Sequence, residues 1–334
     1  MPISEEVPSK MKAVIKPALR AALFLAIITV LLVASSVIVR PKSNAPGFGM
    51  HSFRANAITG EKADSLDVLF LGDSEAYCSF VPLKIWRDYG ITSYVCATSG
   101  QKIYYTEEFL QKAFKTQSPK LVVLETDVLF RDFSRADALK NKVERVLPVI
   151  RYHNRWKTLN KSDFTLKTDY SYCENSKGYL YNAAEKPASA RGYMTPSDER
   201  AVILGKIKSY VRKMKKFCDD RGATLILVST PSTKNWNYKR HNATADFAAE
   251  LGVSYTDLNE MSDALGINWL TDTRDKGDHL NYRGALKITA YVGKMLSDTG
   301  AFEDKRTSPD FASWNNAIDA FTAETGASLD TPTV

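Results

Sequence analysis

Two apolar patterns alternate along most of this chain. Short apolar runs at Val68–Leu71, Ser93–Ala97, Leu121–Glu125, Leu225–Ser229 and Val253–Leu258 have the length of buried strands. Between them, apolar residues recur every third or fourth position. Phe109, Leu110, Ala113 and Phe114 share one side of a helix over 106–115. A longer helix carries Ile203, Ile207, Val211, Met214 and Cys218 on one face and lysines on the other. Thr195-Pro-Ser-Asp198 reads as its N-cap, and Arg221-Gly222 as its end. Helices also fit 242–251 and 284–296, and Glu75 to Trp86 reads as a helix broken near Pro82. Strands alternating with helices predict an α/β domain over 65–300, with a doubly wound parallel sheet of about five strands.

A third pattern precedes this domain. From Ala18 to Val39 the chain is almost wholly apolar, with Arg20 as its one charge. A run of about twenty such residues spans a bilayer as a helix, and Arg20 near its end reaches the interface. Lys10, Lys12 and Lys16 place residues 1–17 in the cytoplasm and the remainder outside. Ala34-Ser-Ser offers small residues that a signal peptidase accepts, but the apolar stretch exceeds the usual signal core of about 7–15 residues. An uncleaved anchor is therefore the expectation. Residues 40–64 read as a linker. Residues 131–194, rich in Tyr and Trp, read as an insertion of helix and loop, whose aromatics either pack onto the core or offer a carbohydrate surface. Residues 301–334 read as a tail in which Phe311, Trp314, Ile318 and Phe321 dock one short helix and the last ten residues are loose.

Charge and cysteine content narrow the classes. The excess of 45 Lys+Arg over 38 Asp+Glu, a net +7, is spread along the chain without a basic-aromatic nucleic-acid motif. None of Cys78, Cys96, Cys173 and Cys218 forms Cys-x-x-Cys or a zinc-spaced cluster with His, so no metal site is expected. Cys78 and Cys96 end two strands and could pair, although buried free thiols are the simpler expectation. Neither Gly-x-Gly-x-x-Gly nor Gly-Lys-Ser/Thr occurs, so no nucleotide cofactor is expected.

Two segments carry chemistry. Gly72-Asp-Ser74 follows the first core strand and opens a helix, which puts a hydroxyl at the carboxyl edge of the sheet, where α/β sites form. Read alone, it is equally an ordinary turn and N-cap. A serine needs a base, and the chain has four histidines. His279, in Asp272-Thr-Arg-Asp275-Lys-Gly-Asp278-His279-Leu-Asn281, stands in the loop before the last helix and returns to the same edge. Its neighbouring carboxylates suit the orienting role of a triad acid, though a solvated acidic turn would look the same.

Together, the two segments resemble the SGNH/GDSL hydrolase superfamily over most of Asp64 to Ser297. The resemblance implies Ser74 as nucleophile, His279 as base, and the backbone N–H groups of Ser74 and Gly100, in Ala97-Thr-Ser-Gly100, as oxyanion donors. Two departures stand out. Leu124-Glu-Thr-Asp127 has no Asn where many members carry one as a further donor, and an ionised Asp127 there would repel an oxyanion. The strict Asp-x-x-His is also absent, because Lys276 lies three before His279. Asp275 and Asp278 are the candidate acids, with Asp275 favoured through a one-residue bulge because an adjacent side chain turns away. Some members act as a Ser-His dyad.

The anchor narrows the resemblance to a DltD-like, alginate-acetylation-type group that works beside membrane-bound O-acyltransferases. It implies an acylated cell-surface glycan or polymer as substrate, such an acyltransferase as partner, and esterase or acyl-transfer chemistry. A non-catalytic scaffold of a cell-envelope complex with the same fold is the competing expectation.

Overall fold

A computed structural model describes residues 9–332, with side chains from residue 14 onward. In chain order it contains α1 (Ser9–Val39), α2 (Phe53–Asn56), β1 (Val68–Gly72), α3 (Ser74–Ser79), α4 (Pro82–Tyr89), β2 (Ser93–Ala97) and α5 (Ile103–Ala113). Then follow β3 (Leu121–Glu125), α6 (Arg135–Val146), α7 (Pro148–Tyr152), α8 (Gly205–Asp219), β4 (Thr224–Ser229), α9 (Tyr238–Leu251), β5 (Tyr255–Asp257), α10 (Tyr282–Asp298) and α11 (Ala312–Thr325). The described residues fall into two compact units: one of 9–43, 47–49 and 135–169, the other of the remaining described residues.

The larger unit is the α/β domain. Its strands are all parallel, in the order β2-β1-β3-β4-β5. Every residue of β1, β2 and β3 is buried, as expected for parallel strands covered on both faces. The chain leaves β1 toward β2 on one side and later builds β3, β4 and β5 on the other. The direction therefore reverses between β1 and β3, and the loops beyond their carboxyl ends part to leave a crevice. Leu71 pairs with Leu124 across this point, so Gly72-Asp-Ser74 and Glu125-Thr-Asp127 emerge side by side. Phe70 stacks on Phe80 with centroids 4.4 Å apart, which folds α3 back onto β1.

Several elements differ from the pattern reading. The helix expected to open at Thr195 begins at Gly205. Thr195 Oγ1 instead donates to Gly192 O at 3.0 Å, and Asn242 Nδ2 donates to the Ser197 and Glu199 carbonyls, so 195–204 is pinned as a loop. The α5 helix starts earlier than expected, at Ile103. Within the expected linker, Ala55, Ala57 and Ile58 are buried. The C-terminal segment is held further along than expected: α11 buries Trp314 and Phe321, Leu329 is buried, and Lys84 Nζ donates to Leu329 O at 3.2 Å. Thr333 and Val334 lie outside the described residues. All four cysteines are free thiols; Cys78 and Cys96 are buried as expected, Cys218 is buried as well, and Cys173 is exposed.

In the smaller unit, α1 is apolar and outward-facing over most of its length, and Val14–Val39 is long and apolar enough to cross a membrane. Its last turns are covered by α7, with Val149 N–H donating to Ser36 Oγ at 3.1 Å. Arg155 Nη1 donates to Val39 O at 2.7 Å and its other branch pairs with buried Asp163 at 2.7 Å.

Candidate active site

The close approach of β1 to β3 requires glycine at position 72. A Cβ there would stand 2.7 Å from Glu125 Cβ and 2.9 Å from Ala76 Cβ. Asp73 then caps α3, its Oδ1 accepting the Glu75 N–H at 3.0 Å while its other oxygen pairs with Arg131. Ser74 is the first residue of α3 and is almost fully buried.

The late loop is a tight excursion between Thr273 and Leu280, which form an antiparallel bridge. Lys276 and Gly277 both take left-handed conformations, φ 67° and 85°. That double turn brings Asp275 back beneath His279. Asp275 Oδ1 accepts the His279 backbone N–H at 2.7 Å, and Oδ2 accepts from Nδ1 at 2.6 Å. Asp278 Oδ2 is 3.8 Å from the same nitrogen, and its other oxygen is taken by Asn235. Asp272 is turned away into an ion pair with Lys287 at 2.7 Å. His279 is thus held by Asp275, with its remaining nitrogen, Nε2, buried and without a hydrogen-bond partner among the described residues.

Asn235 ties the two segments together. Its Nδ2 donates to Glu75 Oε1 at 2.9 Å and to Asp278 Oδ1 at 2.6 Å. Glu75, Asp278 and His279 bring side-chain atoms within 4.8 Å of one another. The residue after Ser74 and the residue before His279 therefore share one donor, at the carboxyl edge of the sheet. No hydrogen bond between Ser74 Oγ and His279 Nε2 is formed among the described residues. The cluster has the ligand types of a cation site, but burial, then repulsion from Asp127, Glu125 and Asp73, pushes the Glu75 carboxyl well above the carboxylate range.

Gly100 lies just past β2, the strand beside β1, with φ 58° and open space where a side chain would stand. Asp127, in the place of the expected Asn, does not face the site as a bare charge. Arg131 and Arg240 each hold it at 2.6 Å. Burial and the nearby Asp127 push Asp73 up to about 7 against the pull of Arg131. Sequence reading passed over Glu75, Asn235, Arg131 and Arg240, because only folding brings 75, 127–131, 235–240 and 278 together. It also passed over a second His–Asp pair, His241 Nδ1 to Asp257 Oδ2 at 2.8 Å, in which the hydrogen bond raises the imidazole pKa. Asp257 also accepts from Trp236 Nε1 at 2.9 Å, which ties this pair into the packing of β5 and α9. A cleft of about 570 Å³ between Glu61, Lys177 and Trp314 includes none of Ser74, Gly100 or His279.

No family model and no curated protein matches this chain. Among solved structures it is similar to a lipase/acylhydrolase from Enterococcus faecalis (11% identity, 70% of this chain and 96% of that one, TM-score 0.38). It is also similar to a GDSL-like lipase from Bacteroides thetaiotaomicron (12%, 70% and 88%, TM-score 0.35). A psychrotrophic esterase, EstA, from Pseudoalteromonas sp. gives 10%, 70% and 98%, with TM-score 0.37. At such distances the chemistry of the site rests on its own residues.

Proposed function

We propose that this chain is a membrane-anchored serine ester hydrolase or O-acyltransferase whose α/β domain works outside the cytoplasm. The observation that carries the reading is His279: one ring nitrogen is fixed by Asp275 and the other is free, on the rim where Ser74 emerges. Ser74 Oγ attacks an acyl carbonyl as His279 Nε2 takes its proton. Asp275, accepting from Nδ1, fixes the productive tautomer and stabilises the imidazolium. The Ser74 and Gly100 N–H groups receive the oxyanion, each contributing about 3 kcal/mol in comparable sites. His279 then protonates the leaving alcohol. Water or a glycan hydroxyl resolves the acyl-serine, giving hydrolysis or transfer with the same residues. The Ser74–His279 hydrogen bond forms when substrate enters, since such contacts tighten in the complex.

The basic flank and the length of the apolar run support an uncleaved anchor with the N-terminus inside. The resemblance to the DltD-like group supports an acylated cell-surface polymer as substrate and a membrane-bound O-acyltransferase as partner. The open Ser74–His279 contact also favours a second reading, in which the domain is a non-catalytic scaffold of a cell-envelope modification complex. Labelling with a fluorophosphonate separates the two. Wild-type chain gains one adduct at Ser74 and turns over p-nitrophenyl acetate, while Ser74→Ala and His279→Ala do neither. A folded wild-type chain that neither labels nor turns over supports the scaffold.

A further inference from the structure

We infer that residues 135–169 form a platform lying in the headgroup layer of an anionic bilayer, at the outer end of α1. This rests on α1 being a retained anchor.

Helix α6 is built inside out. Leu139, Val143 and Val146 recur at i, i+4 and i+7, so they share a face, yet Leu139 is 62% and Val146 78% exposed. Asn141 and Glu144 are buried instead. Arg151 holds both, Nη2 donating to Asn141 Oδ1 at 2.7 Å and Nε to Glu144 Oε2 at 3.3 Å. A helix facing water does the reverse. Trp156, Phe164 and Leu166, in the same compact unit, are likewise outward, 65%, 65% and 85% exposed.

Charge selects the occupant. Residues 135–169 hold nine Lys/Arg against four Asp/Glu, a net +5 out of +7 for the whole chain, so the excess is concentrated here and is not spread along the chain as the sequence reading has it. Two of those acids, Glu144 and Asp163, are buried and paired inward with Arg151 and Arg155. Lys140, Lys142, Arg145, Lys157, Lys161 and Lys167 are exposed. Apolar chains and an exposed Trp among basic residues match acyl chains lying below anionic headgroups.

The level also fits. Side chains of α1 are exposed through Ala34, and cover begins at Ser35. From Ala21 to Ala34 is fourteen residues, about 21 Å of helix at 1.5 Å per residue. A hydrocarbon core is about 30 Å thick. Even with Arg20 reaching to the inner interface, the outer boundary falls beside Ser35–Val39, where α7 packs against α1 and Arg155 holds the Val39 carbonyl.

The test uses the full-length chain in nanodiscs. Trp86, Trp236, Trp269 and Trp314 are buried, so Trp156 is the exposed reporter. Phosphatidylglycerol brominated in its acyl chains is expected to remove most of the fluorescence that distinguishes wild type from Trp156→Phe, and aqueous iodide to leave it intact. Leu139→Glu with Val146→Glu should restore iodide access without changing the melting temperature. Fluorescence from Trp156 that iodide quenches and bromolipid does not would overturn the proposal. So would a photo-cross-linker at Leu139 or Leu166 that captures another protein in cells rather than lipid. Intact mass separates the premises: loss of the N-terminal segment removes the anchor, whereas a retained span with a water-exposed Trp156 refutes the platform alone.

Discussion

Replacing Asp275 by Asn is the sharpest probe of the site. The wild-type carboxylate accepts twice from His279, from the backbone N–H at 2.7 Å and from Nδ1 at 2.6 Å. Asn keeps the size and can still accept the backbone bond, so the loop should hold. Its amide can only donate where Oδ2 accepted, which drives the ring proton from Nδ1 to Nε2. An Nε2 that already carries a proton cannot take one from Ser74. Loss of one charge-assisted hydrogen bond to the imidazolium is worth about 1.5–3 kcal/mol, or about 10- to 150-fold. The wrong tautomer adds to this, and in a serine protease triad the same exchange costs about 10⁴ in kcat. Asp278, 3.8 Å from Nδ1, provides partial electrostatic compensation, since a charge near 4 Å is worth about 1 kcal/mol in water and about 4 at an effective dielectric of 20. The expected loss is therefore about 10²–10⁴ in kcat, read by ester hydrolysis of the full-length chain, with circular dichroism confirming the fold. Asp278→Asn should lose less than Asp275→Asn, since it removes a longer-range attraction and leaves the hydrogen bond to Nδ1 in place. Asp275→Asn within threefold of wild type, or Asp278→Asn the more damaging, would refute the assignment of Asp275.

Burial and the nearby carboxylates raise the Glu75 carboxyl well above its ordinary 4.5 in the folded state, so stability should fall as pH rises from there through its folded-state value. Glu75→Gln, which can still accept from Asn235, should flatten that decline in melting temperature between about pH 5 and pH 8; an unchanged slope would place the titration elsewhere. Gly100→Ala meets no atom within 4 Å but must hold φ 58°, costing about 1 kcal/mol and a melting shift of about 2–4 °C. A fall in kcat beyond that shift, at unchanged KM, would mark its N–H as an oxyanion donor. Asp127→Asn removes the charge shared by Arg131 and Arg240 and should destabilise by about 1–3 kcal/mol, discounted for the partial exposure of both arginines. Denaturant titration reads it, and a neutral result would show the three-way pair to be idle.

Strand spacing along the chain determined the parallel α/β core, because buried strands and amphipathic helices leave periods of their own in sequence. The apolar run before Val39 was equally plain, since crossing lipid demands an uninterrupted stretch. Gly72-Asp-Ser74 and the His279 loop were visible as local motifs. The capping of α8 was not, because Thr195 and Ser197 satisfy the cap pattern but find closer partners in Gly192 and through Asn242. The acid beside His279 was decided by two left-handed residues, Lys276 and Gly277, whose turn selects Asp275 over its neighbour. Asn235, Arg131 and Arg240 join the site only through the crevice between β1 and β3. Likewise, the insertion read only as helix and loop gave no sign that packing would bury Asn141 and Glu144 of α6 beside Arg151 and leave Leu139 and Val146 outward. Periodicity records how a segment meets its immediate surroundings. Which distant side chains converge, and which face of a helix is left open, depends on contacts that one stretch of chain does not encode.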